Sequence, residues 1–231
     1  MTASGWDWIG LALVALVPLL ALTVTSFLKI SVVLSLLRNA IGAPDAPSGL
    51  VVMALSLILT IFVMAPVGAQ MIDAAASPAP TVPAPLPAPA PAPAPEPDGA
   101  AALLPPAVRA QVPAIERALV PLSGFLTRHA DAADRAMFTR LAGDLGRPAE
   151  GDELWVLAPA FATTELKEAF AIAVLIFIPF LVIDLVVGLS LAALGLATTS
   201  PQVVALPLKL LLFVAVDGWR LIVEGLIRGY A

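Results

Sequence analysis

The apolar positions of this 231-residue chain fall into two long blocks separated by a polar stretch. The first block opens with a run from Trp8 to Leu28 that carries no ionisable group. At about 1.5 Å per residue, that run crosses a hydrocarbon core of about 30 Å. Met1 to Asp7 holds no Lys or Arg, and the run is longer than the apolar part of a cleaved signal peptide, so it is expected to be retained. Pro18 is expected to kink the helix, which should run on through Leu37. Thr25 and Lys29 stand i, i+4, and Ser31, Ser35 and Arg38 follow i, i+4, i+7, which predicts a polar helix face. Two readings of that face are open: an interfacial helix end with Lys29 and Arg38 snorkelling, or a polar surface packed on partner helices. Gly42, Pro44, Asp45 and Pro47 should stop the helix and turn the chain. A second uncharged run, Leu50 to Ile72, is again long enough to span. Lys29 and Arg38 place the short connection in the cytoplasm and both outer ends outside, which in a bacterium means the periplasm.

The polar stretch begins with a low-complexity tract. Ten of the 21 residues from Ser77 to Pro97 are proline. Each removes a backbone donor and fixes φ, so the tract reads as a disordered, polyproline-like spacer. After it, Ile115, Leu119, Leu122 and Leu126 keep helical spacing, with Pro113 suited to a first turn. Asp131 is placed to cap a further helix carrying Met137, Phe138 and Leu141, ended by Gly143 or Gly146. His129, at the join, reads as a solvated loop histidine. This helical unit is too small to hold a core alone and is expected to pack on something else.

The second block is less regular. A helix is expected from about Glu165 to Leu194, then a turn through Gly195 and Thr198-Thr199-Ser200-Pro201, then a helix from about Gln202 to Val216. Asp184 interrupts the first helix and Lys209 lies in the middle of the second. In apolar surroundings each costs several kcal/mol unless paired or wetted. The acids Asp184, Asp217 and Glu224 either form a proton path or pair with Lys209, Arg220 and Arg228 within or between subunits.

Composition sharpens the class. The chain is 60% hydrophobic and 13% charged, with a mean hydropathy of +0.97. Soluble domains average about 45–50% apolar and about 25% charged residues, so an ordinary cytosolic enzyme is excluded. Residues 73–153 carry six Arg against ten acids, whereas the rest of the chain has six bases and seven acids. The net charge of −5 argues against a nucleic-acid partner. Zero cysteines and one histidine exclude thiolate sites and leave little for His-based metal binding or catalysis. No GxxxxGKS/T loop, HExxH, GxSxG or His-centred triad is present. No enzyme activity, metal or cofactor is therefore expected. The fold class expected is all-α: membrane-inserted helical hairpins over 1–72 and 158–231, a Pro/Ala-rich linker over 73–102, and a small helical periplasmic insert over 103–157.

Several long segments, in order, resemble one family. Thr25-Ser26-Phe27-Leu28-Lys29-Ile30-Ser31-Val32-Val33-Leu34 with Leu37-Arg38-Asn39-Ala40-Ile41-Gly42 is similar to the N-terminal signature of the SctR/FliP family, the R-type subunits of the bacterial type III secretion export apparatus. The resemblance continues at Phe62 to Val67, Ala158 to Phe161, Thr164 to Lys167, Phe177 to Val187, Leu206 to Val214 and Val216 to Trp219. It implies a non-enzymatic export-gate subunit. Such subunits form a pentameric ring that joins S- and T-type subunits, with the U-type switch subunit as a further candidate partner. The ring encloses a conduit for unfolded secreted proteins at the bacterial inner membrane and its periplasmic side. The resemblance also implies an intersubunit ion pair between Glu165 and Lys209, with Asp184 and Asp217 as further assembly anchors. It places Leu196, Ala197, Thr198, Thr199, Ser200 and Pro201 at the pore turn. Family members carry a methionine cluster there; this chain does not. The Pro/Ala tract reads as an insertion, and the retained N-terminal run fits the injectisome branch better than the flagellar one. The alternative is a proton-coupled membrane transporter using Asp184.

Overall fold

The computed structural model describes residues 22–43, 47–77, 111–196 and 198–231. The expected Pro18 kink, Pro44 and Asp45, the Pro78–Pro97 part of the spacer and Ala197 lie outside the described residues. Seven helices and no strand are present among those described: α1 (Phe27–Ile41), α2 (Gly49–Ala76), α3 (Val112–His129), α4 (Ala132–Asp144), α5 (Leu154–Ala193), α6 (Pro201–Ala215) and α7 (Gly218–Arg228). The chain divides into two compact units, residues 65–125 on one side and all the others on the other. In the smaller unit, Arg117 Nε donates to the Ala74 carbonyl at 3.3 Å, which satisfies a carbonyl left open in the last turn of α2.

In the larger unit α1 is the core helix. Ile30, Val33, Leu34, Leu37, Ala40 and Ile41 are all buried, meeting Val52 and Leu59 of α2, Ala169 and Phe180 of α5, Phe213 of α6 and Leu226 of α7. These positions keep i, i+3, i+4 spacing, so one broad apolar face of α1 is turned to the other helices while Ser35 and Asn39 stay exposed. It starts later than the uninterrupted helix expected through Leu37. Residues 24–26 form a turn. There the Thr25 hydroxyl donates to the Leu22 carbonyl and accepts from the Phe27 N–H, so the side chain competes with the helical ladder.

The long helix α5 begins about a turn before the expected insert boundary at 157/158 and three turns before Glu165. Glu153 at its N-cap accepts from the backbone N–H groups of Glu150 and Gly151, and those bonds hold its carboxyl below the usual range. Pro159 and the Thr163-Thr164 pair mark a break by composition, but Phe161, Ala160, Leu157 and Val156 are wholly or almost wholly buried. Tertiary packing outweighs the local preference. The 40 residues reach roughly 60 Å. Among the described residues two helices, α2 and α5, are long and apolar enough to cross a membrane. They expose Leu50, Met53, Ile58 and Phe62, and Val174, Leu175, Leu181 and Leu185, each more than half accessible. Apolar surface on that scale is not left to water.

The turn between α5 and α6 is a Schellman motif. Gly195 takes φ +72, a conformation that disfavours other residues, and the Leu196 N–H closes back on the Leu191 carbonyl at 2.9 Å. Pro201 then occupies the first position of α6, where its missing N–H costs nothing.

Candidate functional site

The polar residues of these apolar helices meet at three seams, and the first is centred on Lys29. The side chain of Lys29 is only 3% exposed, and its ammonium lies 3.0 Å from Glu165 Oε1 and 2.7 Å from Glu168 Oε2. Glu165 and Glu168 stand i, i+3 on α5, so one helix face presents both carboxylates to α1. The Tyr230 hydroxyl donates to the other oxygen of Glu165, and the same ring lies under the Lys29 ammonium at 4.2 Å from its centroid. His129 ends α3 and sets its ring edge-on to Tyr230, centroids 5.3 Å apart. The solvated loop histidine expected here is instead a half-buried one, because the C-terminal residues cover it. Burial pushes its pKa below the ordinary 6.5, and the Lys29 and Arg128 charges push the same way, against Glu168. The unfolded chain therefore takes up the proton first, so this stability is present above pH 6.5 and is lost as pH falls toward the depressed value. Thermal melting should drop by a few degrees between pH 7 and pH 5.5. His129→Gln should flatten that dependence in the same melting experiment.

The second seam joins α4 to α5. Asp134 is buried and accepts from the Thr164 hydroxyl at 2.8 Å and from the Lys167 ammonium. The Lys167 bond, with help from Thr164, holds its carboxyl below the ordinary range even though burial opposes the shift. Thr164 also accepts from the Asp131 N–H at 3.0 Å, while Asp131 caps α4 through the Ala133 N–H. The segment Thr164 to Glu168 thus uses one face of α5 for α4 and the next for Lys29.

The third seam holds Lys209 of α6. Its ammonium donates to Asp184 Oδ2 at 2.7 Å and to the Ala40 carbonyl, near the open end of α1, at 3.1 Å. This pair lines a cleft of about 620 Å³ between α1, α5 and α6, whose rim includes Asn39, Ser200 and Gln202.

Within one chain Glu165 is held by Lys29 and Lys209 by Asp184, so each member of the expected Glu165–Lys209 intersubunit pair has an ionic partner inside its own chain. Asp217 turns the corner into α7 with φ 52 and makes no cap bond through its side chain. Glu224 pairs with Arg228 at 2.6 Å and with Arg220 at 3.8 Å on an exposed face, contacts of little energetic worth. The stripe Thr25, Lys29, Ser31, Ser35, Arg38 is not a single face. At about 100° per residue, Ser31, Ser35 and Arg38 lie some 120–180° around the helix from Lys29. Lys29 is accordingly buried, whereas Ser35 is exposed. Leu196, Thr198, Thr199, Ser200 and Pro201 are all exposed at the tip of the α5–α6 hairpin. Among the described residues, no group of three or more His, Cys, Asp or Glu is placed to hold a metal ion.

A profile of the FliP family matches residues 11–226, which takes in Lys29, Glu165, Glu168, Asp134, Lys167, Asp184 and Lys209 but ends before Tyr230. The chain belongs to the FliP family. Its similarity to individual members covers more than nine-tenths of the chain. It is 39% identical over 222 residues to the hypersensitivity response secretion protein HrcR of Ralstonia nicotianae, covering 94% of this chain and 93% of that one. It is 34% identical over 227 residues to Yop proteins translocation protein R of Yersinia pestis, covering 96% and 94%. It is 41% identical over 215 residues to the flagellar biosynthetic protein FliP of Pectobacterium carotovorum, covering 92% and 73%. As a FliP-family member with two spanning-length apolar helices, it is a membrane component of a secretion apparatus.

Sequence reasoning missed Tyr230, Glu168 and the Asp134–Thr164–Lys167 trio. Tyr230 is the chain's only tyrosine. A lone amphipathic ring just past a helix end was a signal of a kind, since a Tyr that is buried needs a partner for its hydroxyl. Glu168 was available from its i, i+3 spacing to Glu165.

Proposed function

We propose that this chain is the R-type export-gate subunit of a type III secretion system in the bacterial inner membrane. Copies of the chain, with S- and T-type subunits and the U-type switch subunit as further candidates, would wall the conduit for unfolded proteins toward the periplasmic side. The observation that carries this reading is family membership across nearly the whole chain. The physical chemistry agrees with it. An export wall needs apolar outer surface for lipid and neighbours, and charges neutralised inside each subunit, as Lys29 and Lys209 are. The proton-transport alternative gains no support, since Asp184 is engaged by Lys209.

Purification of the tagged chain from its own membranes tests the proposal. A large mixed complex containing several copies and the partner export subunits is expected. A small homo-oligomer that takes up solute would contradict it. At the hairpin tip only Leu196 among Leu196 to Pro201 is bulky, so Leu196→Gly should raise ion conductance through the assembled gate several-fold. Unchanged conductance would remove this turn from the seal.

A further inference from the structure

The C-terminal helix and the tyrosine beyond it are attached to the rest of the fold in an unusual way. The corner into α7 is made by Asp217 in the left-handed region, followed by Gly218, which is buried so closely against the Phe213 ring that a β-carbon there would collide with it. The helix then runs only 11 residues, too short to be stable on its own. Its docking rests on one wholly buried apolar side chain, Leu226, with Ile222, Val223 and Ile227 partly buried beside it. The seam is loosely filled. Two apolar clefts, of about 220 and 290 Å³, run between α5 and α7, both bordered by Ile176, Leu221 and Ile222.

What this loosely docked piece covers is the Lys29–Glu165–Glu168 centre, in which Lys29 and Glu165 are buried. A β-carbon at Gly229 would lie 4.0 Å from the Lys29 ammonium, and the Tyr230 ring lies against that same ammonium. The Tyr230 hydroxyl supplies a donor to Glu165 Oε2, while Lys29 serves Oε1 and Glu168. One ammonium between two carboxylates leaves a surplus negative charge, and the phenol is the neutral donor that the buried carboxylate needs.

We propose that α7 and Tyr230 form a strap that opens and closes over the Lys29–Glu165–Glu168 centre while the α1–α5 body stays folded. Local opening of this kind belongs to segments with few buried apolar contacts. When the strap lifts, Tyr230 and Lys29 become accessible together. Because the coupling is reciprocal, losing the charge centre's contacts with Tyr230 loosens the strap by as much as lifting the strap weakens the centre.

The composition supplies the probes. Tyr230 is the only tyrosine, and Lys29 is one of three lysines with Lys167 and Lys209. The full chain in detergent is treated with tetranitromethane and, separately, with acetic anhydride, and each site is read by peptide mass spectrometry. Tyr230 nitration and Lys29 acetylation should each run at least tenfold slower in the native protein than in denaturant. Leu226→Ala, which removes the anchor of the strap, should raise both rates by a common factor of about ten while Lys209 acetylation and helix content stay unchanged. Glu165→Ala should likewise speed Tyr230 nitration severalfold. Native Tyr230 reacting at the denatured rate would overturn the proposal. So would nitration rising without Lys29 acetylation, or Leu226→Ala exposing Lys209 as much as Lys29.

Discussion

Lys209→Glu is expected to abolish secretion and to leave little folded protein in the membrane. The residue it replaces is 7% exposed, and its ammonium serves two acceptors on two other helices, Asp184 of α5 and the Ala40 carbonyl of α1. Breaking a buried pair by deleting one partner costs about 3–5 kcal/mol, and here the replacement brings a second carboxylate against Asp184. Asp184 is partly open to the cleft, its side chain 41% exposed, so the loss is expected toward the lower end of that range. The partner seen within the chain gives the rescue: Asp184→Lys in the Lys209→Glu background should recover part of the folded yield and part of the secretion. Recovery stays partial because the Ala40 carbonyl keeps no donor. The family resemblance alone points to Glu165→Lys as the rescuing change. Measuring membrane-inserted yield and secreted protein for both double variants separates the two: rescue by Glu165→Lys only would mean that the pairing between subunits governs.

Lys29→Met should be nearly as damaging, by a different route. It leaves Glu165, which is 0% exposed, without its cation and with the Tyr230 hydroxyl still donating to it. The cost is again about 3–5 kcal/mol, a fall in melting temperature on the order of 10 °C. The double variant Lys29→Met with Glu165→Gln should be markedly more stable than Lys29→Met alone, because the uncompensated buried charge is gone. That non-additivity is the signature of a direct pair. A single variant that melts within 2–3 °C of the native protein, itself a shift of about 1 kcal/mol, would show the centre to be wet.

The helices were legible because apolar runs of this length have few alternatives. The Asp131 cap, the Pro113 first turn and the Gly195 turn were legible because each satisfies a local backbone need. Three things were hidden. The interruption before α1 arises from Thr25 bonding to its own backbone, which spacing does not reveal. The early start of α5 goes with the burial of Val156, Leu157, Ala160 and Phe161, a tertiary effect that local composition does not reveal. The choice of ionic partners was hidden for the same reason. Lys209 and Asp184 both called for a partner on energetic grounds, yet their meeting depends on how α5 and α6 fold back on each other. Lys29 was read with Ser31, Ser35 and Arg38 by spacing, although helical geometry turns it away from them toward α5.

A subunit that walls a type III export gate is obligate for secretion through it. The most direct measurement compares culture supernatants of the parent bacterium, a strain lacking this chain, and that strain carrying it again. The account predicts that type III cargo disappears from the supernatant while persisting in the cells, and returns on re-expression, with virulence-type cargo marking the injectisome branch and filament subunits the flagellar one. Unchanged secretion by the strain lacking the chain would contradict it.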